Sequence, residues 1–456
     1  MVKGFSGVAG KGRSSGAKVV RQRVPPPAKS QGAGSLRALE AGRRAFCLSL
    51  PGAATVGLAL PRALSFCLVL GLCLAVVGCG GKDTRRDEKT AAVVASSADF
   101  PVPDGLRDNV NFWLKVYTEW GRDKVVIHDD RYLAVVYEVA RLPGRIEPSY
   151  TSAQQEFVDL LKDRWRARLR ALEGRVAVGA RLSSAEQSLK AQLEDGGGPG
   201  ALFGAAERVR SQRGVREQYR DGLARSGRWE PLFREVFRRR GLPEDLALLP
   251  HVESSFQANA RSSAGASGMW QFIRSTGSNY MTVNSAIDER LDPVVAADAA
   301  ARYLQGAYAR LDSWPLALTS YNHGVGGMLS AKERYGTDMG RIVRDYDGRY
   351  FGFASRNFYA QFLAARHVAR NAQQYFPEGV PFEPPLSDRP VRLGSAVFVT
   401  DLAGQYGLPA SALIARNLSW LEPVRRGDHP VPAGTTVWVP QRASPTTRGQ
   451  LRLSTF

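Results

Sequence analysis

Apolar residues recur at helical intervals along most of this chain, which predicts a mainly α fold. In Asn109–Trp120, Val110, Trp113, Leu114 and Tyr117 share one helical face. Lys124–Ile127 and Leu133–Val139 read as two short strands of a small hairpin, around a polar turn at 128–131. Ser152 and Gln155 have the spacing of a capping box. The helix that follows carries Phe157, Leu160, Leu161, Trp165, Leu169 and Leu172. A Gly-Pro break at 196–200 ends that region, and helical spacing resumes from Ala205 through Phe237. Trp113, Trp120, Trp165 and Trp229 fall on these apolar faces and read as core rather than as sugar platforms.

The next stretch, Gly241–Tyr280, has a different texture. Pro243, Glu244 and Asp245 suit a helix start. Leu246, Leu249 and Val252 share one side, and Pro250 is expected to bend the helix one turn before Glu253. Two serines, Phe256 and a turn follow, then a Gly-rich apolar segment, Ala264–Phe272, able to wall Glu253 off from water. A carboxyl so enclosed holds its proton and can deliver it to a leaving group. Taken alone, Glu253 would read as a solvated helix-end residue. Beyond it, Asp292-Pro293 predicts an N-cap with proline in the first turn. Leu316–Tyr321 leads into the glycine-rich turn 322–327, and Arg356–Tyr375 is a further helix. Residues 381–390 read as a proline-rich linker. After it, Ala396–Thr400 and Thr435–Val439 read as strands around short helices at Thr400–Tyr406 and Pro409–Asn417, a β-α-α-β unit.

Order and spacing now add chemistry. Glu253-Ser254, Ser262-x-Ala-Gly-Ala-x-Gly268, Met269-Trp270-Gln271 and Ser320-Tyr321-Asn322-His323-Gly324 occur in sequence. Together they resemble the lytic transglycosylases of the soluble family 1 type, and most nearly the membrane-bound D-type enzymes, over about 214–376. The resemblance implies a goose-lysozyme-like all-α catalytic domain and one catalytic acid, Glu253. It further implies that Ser262 and Gln271 contact an N-acetylmuramyl unit. Tyr321 would hydrogen-bond and orient Glu253, and Asn322 would hold a substrate amide or the site's backbone. Without the motif, Ser262 reads as a turn residue and Tyr321 as core. His323 stands where the family commonly has alanine.

Glycoside cleavage usually takes two carboxylates, and Asp288, Glu289 and Asp292 look like turn and cap residues. In the resembled family one Glu suffices, because the substrate's own 6-hydroxyl attacks and a 1,6-anhydromuramyl end forms. A lysozyme-like hydrolase of the same fold and a non-catalytic wall-binding lipoprotein are the alternatives. No cofactor is implied, and His128, His251, His367 and His429 lack metal-ligand spacing with one another.

Charge and cysteine usage shape the ends. The chain carries 62 Lys+Arg against 43 Asp+Glu, a net +19. Residues 1–78 hold 11 of those cations and one Glu, leaving the rest at +9. A nucleic-acid reading loses half its support there; an anionic wall polymer or membrane face suits the remainder. The four cysteines are Cys47, Cys67, Cys73 and Cys79, so no disulfide framework can staple the chain beyond them. Arg62 precedes an apolar run, Ala63–Val77, too short for a comfortable membrane span. The ending Val76-Val77-Gly78-Cys79 resembles the lipobox of bacterial lipoproteins, which implies acylation of Cys79 and anchoring to the outer membrane. The C-terminal unit resembles a degenerate LysM module, with Gly394-Ser395-Ala396 at its start where Gly-Asp-Thr is usual. It reads equally as a glycan-binding module and as a structural cap.

The expected organisation is therefore a basic extension and lipoprotein signal over 1–79, a flexible tether over 80–100 and a helical region over 101–240. A catalytic domain over 241–380, a linker over 381–390, the LysM-like module over 391–442 and a tail over 443–456 complete it. The expected partners are peptidoglycan glycan strands and, through lipidated Cys79, a membrane in the bacterial cell envelope.

Overall fold

A computed structural model of the chain describes residue 94, residues 96–443 and the backbone of residues 451–452. The extension and signal over 1–79, including Cys79, lie outside those residues, as do most of the 80–100 tether and the 443–456 tail. The described part is mainly helical, with two small three-stranded sheets. None of its helices is long and apolar enough to cross a membrane.

The first half folds around one strand. Helix α1 (Arg107–Thr118) leads into β1 (Lys124–Asp129), which pairs antiparallel with β2 (Val136–Arg141). Alternation gives β1 two buried faces: Val125 and Ile127 enter one apolar cluster and Val126 another. Helices α2 (Ser152–Ala177) and α3 (Ser184–Gly197) cover the first face with Leu161, Leu169, Leu172, Leu189 and Leu193. The capping box of α2 sits one residue earlier than its spacing suggests. Thr151 is the N-cap, exchanging hydrogen bonds with Gln154. Gln154 is anchored in that register because its buried amide also donates to the Pro143 and Arg145 carbonyls.

A second departure follows the glycine break. Residues expected to be helical from Ala205 form turns and then β3 (Val209–Arg213), the third strand, paired with β1. Only Val209 in it is apolar and buried. The pairing is driven from β1, whose other edge would otherwise leave buried amides unmatched.

Helix α4 (Arg216–Arg239) then crosses to the second half. Pro250 does more than bend the predicted helix. A 3-10 turn, Glu244–Leu248, stops short of it, and Pro250 opens a separate one-turn helix, α5 (Pro250–Glu253). Of helices α6 (Pro293–Leu311), α7 (Trp314–His323), α8 (Val325–Tyr335) and α9 (Met339–Asp345), α7 packs on α10 (Phe353–Arg370) and on α6 and α8, and α9 packs on α8. Almost every residue of α10 from Ser355 to Val368 is buried. Its Asn357 accepts hydrogen bonds from Asn109 and Trp113, tying α1 to it. Arg366 and Arg370 of α10 pair with Asp245, which also meets Arg234 of α4. Burial alone would raise the Asp245 pKa; the arginines outweigh it and hold it low.

The C-terminal unit is a β-α-α-β module in which a one-turn helix precedes the last of these strands. β4 (Asp388–Leu393), α11 (Val399–Gln405), α12 (Ala410–Arg416), α13 (Glu422–Arg425) and β5 (Thr436–Pro440) are joined by a two-residue strand, β6 (Leu451–Arg452). Its first strand lies earlier than Ala396–Thr400 and begins inside the expected linker. Pro390 is tolerated there because it sits opposite Trp438, whose own N–H and C=O turn away to Asn417. The rest of the expected linker is laid along α4. Glu383 N–H donates to Ala224 and Leu386 N–H to Arg228, and a Cβ at Gly227 would meet the Glu383 carbonyl at 2.5 Å.

The module shares its interior with the helical body. Ala286 and Ile287 belong to the module's apolar cluster, and Trp438 belongs to the body's. Asp292, the predicted N-cap, bonds the first amides of α6 and also accepts from Trp438 Nε1 at 2.8 Å. Burial raises its pKa to about 6, with Glu289 adding to the shift. A carboxyl whose pKa is higher folded than unfolded favours the fold most when protonated. It therefore withdraws stability as pH rises from about 4 to about 6. Asp292→Asn keeps the cap and removes the ionisation. Its melting temperature minus that of the wild type is expected to grow more positive across that interval, and a difference flat with pH would contradict the buried charge.

Candidate active site

Glu253 closes α5 and is 7% exposed. The chain turns sharply after it: Ser255 and Phe256 have φ of 51° and 57°, both left-handed. Neighbours over-determine this turn. From α4, Arg225 donates twice to the Ser255 carbonyl (3.0 and 2.7 Å) and Gln218 reaches its hydroxyl. Gly222 lets the backbone approach, since a Cβ there would stand 3.1 Å from that of Ser255. Non-glycine residues held at positive φ cost energy and cluster where geometry matters. Of the five among the described residues, Ser255, Phe256 and Gln271 all lie in this region.

The predicted apolar wall is present. Ser254 Oγ donates to the Met269 carbonyl at 2.7 Å, fastening the wall to the Glu253 turn. Met269 and Trp270 are buried, as expected, with Trp270 against Phe233 and Phe237 of α4. Trp270 Nε1 donates to Pro293 O at 3.1 Å, at the start of α6. Gly268 has φ of 78° and lies directly over the Arg290 carbonyl, where a Cβ would come to 1.6 Å. Only glycine fits.

Arg290 holds that wall from beneath. Its buried guanidinium is bidentate to Asp288 (2.9 and 2.8 Å) and donates to the Gly265 and Phe272 carbonyls (3.0 and 3.1 Å). Glu289 accepts from Thr282 N–H, and Asp292 caps α6. The three acids expected to serve turns and caps do so, each engaged in the framework.

Tyr321, on α7, is wedged edge-on between Phe272 and Tyr303 at 5.6 and 5.3 Å. Its hydroxyl donates to the Trp270 carbonyl at 2.9 Å. Burial first, then the nearby Glu253 charge, push its pKa well up, so it stays a neutral donor beside the carboxyl. Ser262 and Gln271 share the wall loop with their side chains on its backbone. Ser262 Oγ accepts from Ala266 N–H, and Gln271 Nε2 donates to the Ala260 and Gly268 carbonyls. Asn322 accepts from Ser355 Oγ at 2.8 Å, from α10. His323 packs on Phe351 and lies where a Cβ on Gly327 would strike its ring; burial lowers its pKa.

Glu253, Tyr321 and the wall loop of Ser262 and Gln271 are thus brought together, with Asn322 adjacent to Tyr321. Sequence reasoning quoted Ser254 in a motif without giving it a role and passed over Arg225 and Arg290; all three shape the site through backbone contacts. Asp288-x-Arg290 carries no motif that would have announced the fork. A crevice of about 270 Å³ between α4 and the module, lined by Trp229, Asp292 and Trp438 among others, does not include Glu253. Among the described residues no group of three or more His, Cys, Asp or Glu could hold a metal ion.

Comparison with known proteins bears on this region. Residues 232–342 match the family model described as Transglycosylase SLT domain, and this span contains Glu253, Ser262, Gln271, Tyr321 and Asn322. The chain is 31% identical, over 184 residues, to membrane-bound lytic murein transglycosylase D of Escherichia coli strain K12 and to that of Escherichia coli O6:H1. That alignment covers 39% of this chain and 39% of each relative, so the chain spans about two fifths of their length. Together these findings give residues 232–342 the likeness of a transglycosylase SLT domain.

Gly268→Ala is expected to cost on the order of 3 kcal/mol through the clash and the left-handed backbone. Urea denaturation checks this; an unchanged midpoint would mean the loop does not sit on Arg290.

Proposed function

We propose that the chain is a peptidoglycan lytic transglycosylase. It cleaves the β-1,4 bond between N-acetylmuramic acid and N-acetylglucosamine and leaves 1,6-anhydromuramyl ends. One observation carries the reading: Glu253 is buried at the end of α5, near Tyr321 and next to Ser254, which fastens the wall loop, and Asp288, Glu289 and Asp292 serve the framework.

Protonated Glu253 gives its proton to the glycosidic oxygen as the bond to the anomeric carbon breaks. The resulting carboxylate takes the proton of the muramyl 6-hydroxyl as that oxygen attacks the same carbon. Glu253 returns to its acid form and no water is consumed. The attack is intramolecular, so effective molarity replaces a second carboxylate. Tyr321 keeps a neutral dipole beside Glu253 in both states. Ser262 and Gln271 contact the substrate while bracing the loop, and Asn322 contacts it from α7, where it is held by Ser355. A water-using hydrolase needs a second carboxylate at the bond, and the acids nearest in sequence are already engaged.

Glu253→Gln preserves shape but can neither give nor take the proton. Loss of a general acid/base costs about 10²–10⁴-fold, more when one group acts twice. Turnover is expected to become undetectable with an unchanged circular dichroism spectrum. Mass analysis of wild-type products is expected to give anhydro-muropeptides, one water lighter than hydrolytic products. Reducing ends would make the chain a hydrolase.

The protein acts in the cell envelope, on glycan strands, lipid-anchored through Cys79 to the periplasmic face of the outer membrane. Its basic excess serves anionic surfaces rather than nucleic acid. Cys79→Ser is expected to abolish metabolic palmitate labelling and leave an unprocessed precursor; labelling that persists rejects the anchor.

A further inference from the structure

Two hydrogen-bonded routes lead from the C-terminal module to the wall facing Glu253. In the first, Trp438 Nε1 donates to Asp292 Oδ2 at 2.8 Å. The other oxygen of Asp292 accepts from the Val294 and Val295 amides, both at 3.0 Å, fixing the first turn of α6. The carbonyl of Pro293 in that turn holds Trp270 Nε1, and the Trp270 carbonyl holds Tyr321 beside Glu253. In the second, the Ser419 carbonyl accepts from Asp288 N–H at 2.8 Å. Asp288 carries the Arg290 fork that grips Gly265 and Phe272.

Both routes end on the same loop, the first at Trp270 and the second at Gly265 and Phe272. The donor end is itself rigid. Asn417 bonds the backbone N–H and C=O of Trp438, and the indole is buried in the body's own apolar cluster. A module that only tethered a glycan would need none of this.

We propose that Trp438 is a positioning residue, through which the C-terminal module sets the wall of the active site against Glu253. This rests on the reaction proposed above. The indole N–H satisfies a carboxylate that is 2% exposed. Without it, Asp292 is left buried and short of a donor, and the first turn of α6 shifts with Pro293 and Trp270. The consequence falls more on the geometry of proton transfer than on sugar binding, because Ser262 and Asn322, two of the three substrate contacts proposed above, lie on neither route.

The test uses the full chain with Trp438→Phe, which keeps an aromatic side chain but removes the N–H together with part of the ring volume. Turnover of soluble glycan strands is expected to drop about tenfold with KM within twofold. Backbone amides of 268–271 and 294–295 should exchange hydrogen faster, while those of β1 are unchanged. Asp292→Asn supplies the diagnostic. Alone it sets an amide against the indole N–H and lowers kcat; in the Trp438→Phe background it removes the unpaired charge and is expected to recover most of the loss. Wild-type kcat in Trp438→Phe, or a loss matched by the unfolded fraction, overturns the proposal. So does a pair of substitutions whose effects simply add. Should wild-type products carry reducing ends, the reaction reading fails while the kcat split still judges the clamp. Should the wild type be inactive, the exchange rates alone judge it.

Discussion

The buried Arg290–Asp288 pair is the constraint on which the site depends. A guanidinium at this depth is tolerated only if its donors are used, and four hydrogen bonds use them. Two go to the carboxylate and two to carbonyls at either end of the loop that faces Glu253. The two ends of the loop are therefore drawn together onto one guanidinium nitrogen, Nη1. Its backbone adds a second limit, because the Arg290 carbonyl occupies the space a side chain at position 268 would need. Breaking such a pair by removing one partner costs about 3–5 kcal/mol, since the other charge stays buried. The wall cannot relax gradually.

What could be read in the sequence follows the range of the interactions. Helical periodicity located α1, α2, α6 and α10 because it reports which face is buried, a local property. The Asp292-Pro293 start held because an N-cap and a first-turn proline act within four residues. β3 was missed because its stability comes from β1, over eighty residues earlier, and its own residues are polar. β4 was misplaced because proline in a strand argues against it unless the opposite residue turns away. Here Trp438 does, for a reason lodged in Asn417.

The site divides the same way. The placing of Glu253 before a Gly-rich apolar segment could be read directly. That Ser255 and Phe256 would be held left-handed could not, since nothing in Ser-Ser-Phe favours it. The turn is imposed by Arg225 and Gly222 on α4, which a reader of the motif alone has no reason to connect with it. Likewise Tyr321 was expected at Glu253, and it stands there, but its hydroxyl is directed by the Trp270 carbonyl in the wall.

The most consequential difference concerns the linker. Proline-rich composition over 381–390 read as a linker between the catalytic domain and the C-terminal module. Yet those residues run along α4 closely enough that Gly227 cannot carry a side chain, and the module exchanges core residues with the body on both sides. Composition reports how a segment behaves when nothing binds it; here α4 offers backbone acceptors at Ala224 and Arg228 that fix its register. A module held this way cannot reorient independently of α6, so any strain it bears is felt at Asp292. The charge at Asp292 sits where the two halves meet and is poorly solvated. The fold accepts that cost at the one carboxylate that both caps the helix supporting Trp270 and receives the module's indole.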